Sequence, residues 1–207
     1  MSIVWPAISN QQIEEQASNF RQEALSFLNM EQTSEVPVEQ IAEMYLGYEL
    51  DFVEGIDGYP DDVIGGIDFD TNTILVNSAI ESHIGRYSFT IAHEIAHHVL
   101  HREEFYRQSH TKKIMCRGVI KRPVEELQAD RFAEALLMPA EIVIQHYNKV
   151  KSKNFLKPIN QFALATRVIE SSGLKNVSTS AMVVRLNHLK LASKGSIYRK
   201  IYKLFFS

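Results

Sequence analysis

R-Y-S-F-T-I-A-H-E-I-A-H-H-V-L-H, residues 86–101, is the stretch on which the fold and the chemistry both turn. Phe89, Ala92, Ala96, Val99 and Leu100 recur at helical spacing, and Ser88 is the expected N-cap. Inside this helix lies H-E-I-A-H. Residues four apart differ by about 40° around a helix axis and about 6 Å along it, so His93 and His97 leave from one face. Two imidazoles so placed can reach one Zn²⁺ at about 2.0–2.1 Å. Glu94, beside the first ligand, can take the proton of a water whose pKa the metal has lowered. Two histidines on a solvated surface would look the same as letters. Ile91, Ala92, Ile95, Ala96 and Val99 argue otherwise, because polar residues in a mostly apolar helix need a buried reason.

Hydrolytic zinc sites use three protein ligands and a water. Position 103 is Glu103 and position 100 is Leu100, so the third histidine of the metzincin pattern is missing. His98 is turned about 100° from His97, and His101 lies a further turn along, so both are poor ligands. The better source is the helix opened by Pro123, P-V-E-E-L-Q-A-D-R-F-A-E-A-L-L-M. There Glu126 would complete the site while Asp130, four residues on, accepts an N–H from a ligating imidazole and fixes its tautomer. Glu125 is the rival ligand, but its +4 partner is Ala129. Two histidines and a carboxylate favour Zn²⁺, with Mn²⁺ the other metal considered.

Working outward, Ile13, Ala17, Phe20, Ala24, Phe27 and Leu28 predict an amphipathic helix over 8–30. Pro37 opens a short helix that Gly47 stops. Leu50–Glu54 is a short strand candidate. V-I-G-G-I-D-F-D and T-I-L-V-N flank Thr71–Asn72 as a β-hairpin, with Gly65 and Gly66 read as strand or turn glycines. Residues 102–121 read as a polar surface loop. Helices are expected over 140–149 and 159–171, separated by a Lys-rich linker, and again after Gly173.

The composition is that of a globular chain of 207 residues, 45% hydrophobic and 23% charged. One cysteine, Cys116, excludes a disulfide framework and a Cys-rich zinc knuckle. No run of about 18 apolar residues and no secretory signal pattern is present, so a cytoplasmic location and no membrane partner are expected. The net charge is −3, unevenly spread. Residues 171–207 hold seven basic side chains and no acid, which leaves the rest at −10. Arg185, Asn187, His188 and Lys190, in a segment resembling the second helix of a helix-turn-helix, could meet DNA, although an acidic core would oppose it. The basic, aromatic end, S-I-Y-R-K-I-Y-K-L-F-F-S, residues 196–207, is expected to pack back on the core, with docking to a partner or a membrane surface the alternative.

The paired segments, R-Y-S-F-T-I-A-H-E-I-A-H-H-V-L-H and V-E-E-L-Q-A-D-R-F-A-E-A-L-L-M-P, resemble the ImmA/IrrE metallopeptidases. The hairpin G-I-D-F-D-T-N-T-I-L-V-N and the late V-S-T-S-A-M-V-V-R-L-N-H-L-K-L are similar to the family as well, so the resemblance covers about residues 37–191. It implies an α+β fold: a zincin-like core in which a small twisted sheet with its hairpin packs on the motif helices, with further helices at both ends. The expected divisions are 1–36 for the N-terminal helix, 37–150 for the peptidase core and 151–207 for the C-terminal segment. Carried over by position, His93, His97 and Glu126 become the zinc ligands and Glu94 the general base. The implied substrate is a helix-turn-helix transcriptional repressor of a mobile element or stress response in bacteria or phage. Some relatives carry a sensor domain, which this length is expected to leave out. A DNA- or partner-binding regulator of toxin–antitoxin type, with a structural metal site, is the alternative. The substrate is expected to add as a strand at the Ile67–Val76 hairpin. His83, Tyr87, Tyr106, His146 and Tyr147 are the candidates for stabilising the oxyanion.

Overall fold

The structure, a computed structural model, describes residues 5–30, 35–56, 63–108, 114–116, 123–153 and 159–192. It is α+β, with a four-stranded mixed sheet lying against the helix that carries His93 and His97.

Helix α1, Asn10–Phe27, starts at a capping box in which Ser9 and Gln12 each satisfy the other's main-chain N–H. Its inward stripe of Ile13, Ala17, Phe20 and Ala24 is buried, as the spacing predicts. Helix α2, Val38–Gln40, runs into a π-helical turn, Ile41–Tyr45, and Gly47 follows with φ +74°, a conformation glycine adopts without steric cost.

Strands β1 (Glu49–Val53), β2 (Gly65–Asp68), β3 (Thr73–Asn77) and β4 (Ile114–Cys116) pair in the order β1-β3-β2-β4. The β2–β3 hairpin is the one expected. Asn72 turns it at φ +52° while the Asp68 carboxylate accepts from the N–H groups of Asp70 and Thr71. Its place in the sheet differs from the expectation. β3 runs parallel to β1, and β4 pairs antiparallel with residues 66–68 of β2, so both hairpin strands are interior and the edges belong to β1 and β4. A substrate strand cannot add along Ile67–Val76, because the main-chain groups there are already paired.

Helix α3 is Ile84–Gln108, longer at both ends than its apolar stripe suggests. Ser88 is not its cap but a buried residue of its second turn; the N–H groups of Arg86 and Tyr87 bond to the carbonyl of His83. At the other end, part of the expected loop over 102–121 is helix and part is strand β4. Phe105, four residues beyond His101, prolongs the inward face and meets Phe69 edge-on at 5.1 Å. The charged residues around Phe105 hide that continuation from a hydrophobicity reading.

Helix α4, Val124–Leu137, packs along both α1 and α3, and its Phe132, Ala133 and Leu136 are fully buried. Helices α5 (Ala140–Lys153), α6 (Gln161–Ser172) and α7 (Thr179–His188) follow among the described residues. α5 thus reaches into the expected Lys-rich linker. Asn160 and Ser178 cap α6 and α7, and Gly173 ends α6 at φ +75°. One apolar cluster runs from Ile13 of α1 through the sheet and α3 to Leu186 of α7. No helix among the described residues is long and apolar enough to cross a membrane.

Of the four residues considered for DNA, α7 turns Arg185, Asn187 and His188 toward internal partners, while Lys190, just beyond the helix, is exposed. Arg185, 1% exposed, donates from Nε to the Met138 carbonyl and from both terminal nitrogens to the Glu14 carboxylate on α1. Asn187 is buried on the Val183 carbonyl, and His188 bonds to Glu134. The side chains of Arg185 and Asn187 are therefore taken up by internal contacts. Most of the basic tail, residues 193–207, lies outside the described residues.

Candidate metal centre

Helices α3 and α4 bring His93, His97 and Glu126 together in the interior. His93 Nε2 stands 3.1 Å from Glu126 Oε2, His97 Nε2 3.3 Å from Glu126 Oε1, and the two Nε2 atoms 3.0 Å apart. A tetrahedral ion bound at about 2.0–2.1 Å holds neighbouring donor atoms about 3.3 Å apart, so the triangle has the size of a zinc site. The chemistry fits too. Two imidazole Nε2 atoms turned on each other cannot both present lone pairs without repulsion, and a cation between them removes the conflict. The donor set is one that Zn²⁺ accepts readily. Glu125, the rival, is only partly buried and is outside this group.

Asp130 is where the spacing puts it, with Oδ1 3.0 Å from His93 Nδ1. The ring must therefore carry its proton on Nδ1 and offer Nε2 to the centre. Glu94 is fully buried beside His93. Its carboxylate lies against β2 at Gly65, where a Cβ atom would come within 3.0 Å of Oε1. The strand and the helix can approach this closely because residue 65 has no side chain.

Burial pulls the His93 imidazole toward the neutral form, but hydrogen bonds to Asp130 and Glu126 and their charges outweigh it and take its pKa up to about 9. For His97 burial prevails and the pKa falls. Burial would raise the Glu126 carboxyl; bonds to both histidines outweigh it and leave the pKa below the usual carboxylate range. The three groups thus share protons at the point where a dication would replace them.

His98 points elsewhere: its Nδ1 is 2.9 Å from the Tyr48 hydroxyl, and burial, then the charge of Arg102, push its pKa down to about 4. His101 supports the site without joining the donor triangle, its Nδ1 lying 3.0 Å from His97 Nδ1. Sequence reasoning missed that role. The continuing i+4 step from His97 to His101 is its signal in the sequence. Among the oxyanion candidates, the Tyr106 hydroxyl donates to the Phe69 carbonyl at 2.7 Å, His146 bonds to Ser171, and Tyr87 stacks on Phe52. None of these contacts places the three residues at the centre.

No curated protein matches the chain. The sequence profile of the IrrE N-terminal-like domain, Peptidase_M78, matches residues 53–187, a span that includes the hairpin, the helix of His93 and His97, the helix of Glu126, and most of α7. By this match over well more than half its length, the chain belongs to the IrrE N-terminal-like (ImmA/IrrE) metallopeptidase family.

Proposed function

We propose that this protein is a zinc-dependent endopeptidase in which His93, His97 and Glu126 hold the metal and Glu94 is the general base. The observation that carries the reading is the buried His93–His97–Glu126 triangle, with Glu94, also fully buried, following His93 on the same helix. Bound zinc supplies Lewis acidity, lowering the pKa of water and polarising a carbonyl. His93 and His97 present their Nε2 lone pairs, and Asp130 holds the first of them in that tautomer. Glu94 takes one proton from the attacking water as its oxygen bonds to the scissile carbon. It then gives that proton to the amine nitrogen as the C–N bond breaks, so two fragments form with the net addition of one water.

The substrate we propose is a helix-turn-helix repressor, and the resemblance to the family is what supports it. Intact-mass spectrometry of such a repressor encoded beside the gene, incubated with the protein with and without zinc, tests both points. Expected are two fragments whose masses sum to the repressor plus water, only with metal. Glu94→Gln should keep the metal and slow cleavage about 10²–10⁴-fold, the usual contribution of a general base. An active Glu94→Gln protein would overturn the role given to Glu94.

A further inference from the structure

The second metal-facing histidine is held differently from the first. His93 leans on a carboxylate of the neighbouring helix. His97 leans on His101, His101 Nε2 lies 3.0 Å from Gln128 Oε1, and Gln128 Nε2 lies 2.8 Å from the main-chain carbonyl of Pro6. His97, His101 and Gln128 are all buried.

The direction of every bond in this series is determined from its far end. The Pro6 carbonyl can only accept, so the Gln128 nitrogen must face it and the Gln128 oxygen must face His101. That oxygen requires a proton on His101 Nε2, which leaves His101 Nδ1 as a bare lone pair. A bare Nδ1 at 3.0 Å accepts the N–H of His97 Nδ1, and His97 Nε2 is then the atom left to ligate. Trp5 closes the series on one side, its ring edge-on to His101 at 5.1 Å.

We propose that His101, Gln128 and the Pro6 carbonyl form one positioning arm that fixes His97 with its proton on Nδ1, so that the segment ahead of α1 is part of the metal centre. This rests on the reading of His97 as a zinc ligand. The arm crosses the limit of the family match: His97, His101 and Gln128 fall within residues 53–187, while Trp5 and Pro6 do not. Residues inside the matched span are therefore completed here by a segment outside it. The two imidazoles are also unequal in kind, since His93 rests on an anion and His97 on a neutral chain that ends at a main-chain dipole.

The test uses the full chain and zinc itself. Zinc affinity is measured by competition with a chromophoric chelator for the unaltered protein, Gln128→Leu, His101→Phe and, as a ligand control, Glu126→Gln. Loss of such supporting bonds costs about 10–100-fold in metal affinity, and that is the weakening expected for Gln128→Leu and His101→Phe. Long-range ¹H–¹⁵N correlation on the unaltered zinc-loaded protein gives a second readout that needs no variant to fold. It should show His101 protonated on Nε2, with a ¹⁵N–¹⁵N coupling across the bond to His97. Unchanged affinity in variants with unaltered melting, or a His101 proton on Nδ1, would overturn the arm and leave the zinc reading intact. Absence of zinc binding in the unaltered protein, or full binding by Glu126→Gln, would overturn the zinc reading and the arm with it.

Discussion

Gly65 on β2 and Glu94 on α3 approach so closely that a Cβ on residue 65 would lie 3.0 Å from Glu94 Oε1. The same atom would come 2.4 Å from Thr90 Cγ2 and 3.5 Å from the Leu75 carbonyl. The glycine is thus where the sheet lets the helix that bears Glu94 settle against it. Thr90 is buried and β-branched on a helix, so it has little freedom to move aside.

Gly65→Ala is therefore expected to cost about 1–3 kcal/mol by overpacking. It should also lower peptidase activity with zinc still bound, because the displaced residues are Thr90 and Glu94 and not the ligands. Denaturant unfolding and zinc stoichiometry on the same preparation check both halves. A Gly65→Ala protein as stable as the parent would show that the strand can back away from the helix.

Asp130→Ala should weaken zinc binding about 10–100-fold by freeing the His93 ring to rotate and change tautomer. Asp130→Asn, which keeps an acceptor oxygen but loses the charge, should fall between the two. Titration against a competing chelator ranks the three proteins, and equal affinities would show that packing alone orients His93.

Metal removal should destabilise the whole molecule, since the ligands sit between α3 and α4 at the centre of the fold. With zinc about a thousandfold above its dissociation constant the expected contribution is about 4 kcal/mol, or about 10 °C in Tm for a chain of this size. Calorimetry before and after chelation measures it. A Tm indifferent to zinc would mean that no ion binds the native state at this concentration.

The Arg185–Glu14 pair should show an asymmetry. Arg185 has a side chain 2% exposed and Glu14 one 37% exposed. Glu14→Ala leaves a charge stranded in the interior and should cost about 3–5 kcal/mol. Arg185→Met leaves the anion partly in water and should cost less. Urea midpoints of the two variants decide the order, and the reverse order would place the main value of Arg185 in its bond to the Met138 carbonyl.

The sequence by itself determined which side chains share a face on each helix. His93, Glu94, His97, Glu126 and Asp130 could be read because a helix repeats every 3.6 residues, so spacing along the chain converts directly into a shared face. The hairpin was legible for a related reason: turn residues act locally. What only the tertiary structure decided involves partners far apart in the chain. The strand order, which takes the Ile67–Val76 hairpin off the sheet edge, depends on the pairing of β4 with β2 and of β1 with β3. Phe105 and Ser88 belong to α3 through burial that their polar or weakly periodic neighbours conceal. Arg185 looks like a surface cation in the sequence, and only the approach of Glu14, 171 residues away, and of the Met138 carbonyl gives it internal partners. The support of His97 is the clearest case. His101 lies one turn from it, but the Gln128 and Pro6 that give His101 its direction come from another helix and from the segment ahead of α1. A hydrogen bond between segments far apart in the chain, such as Gln128 to Pro6, carries no trace in local periodicity, because it depends on which surfaces the packed core brings within about 3 Å of each other.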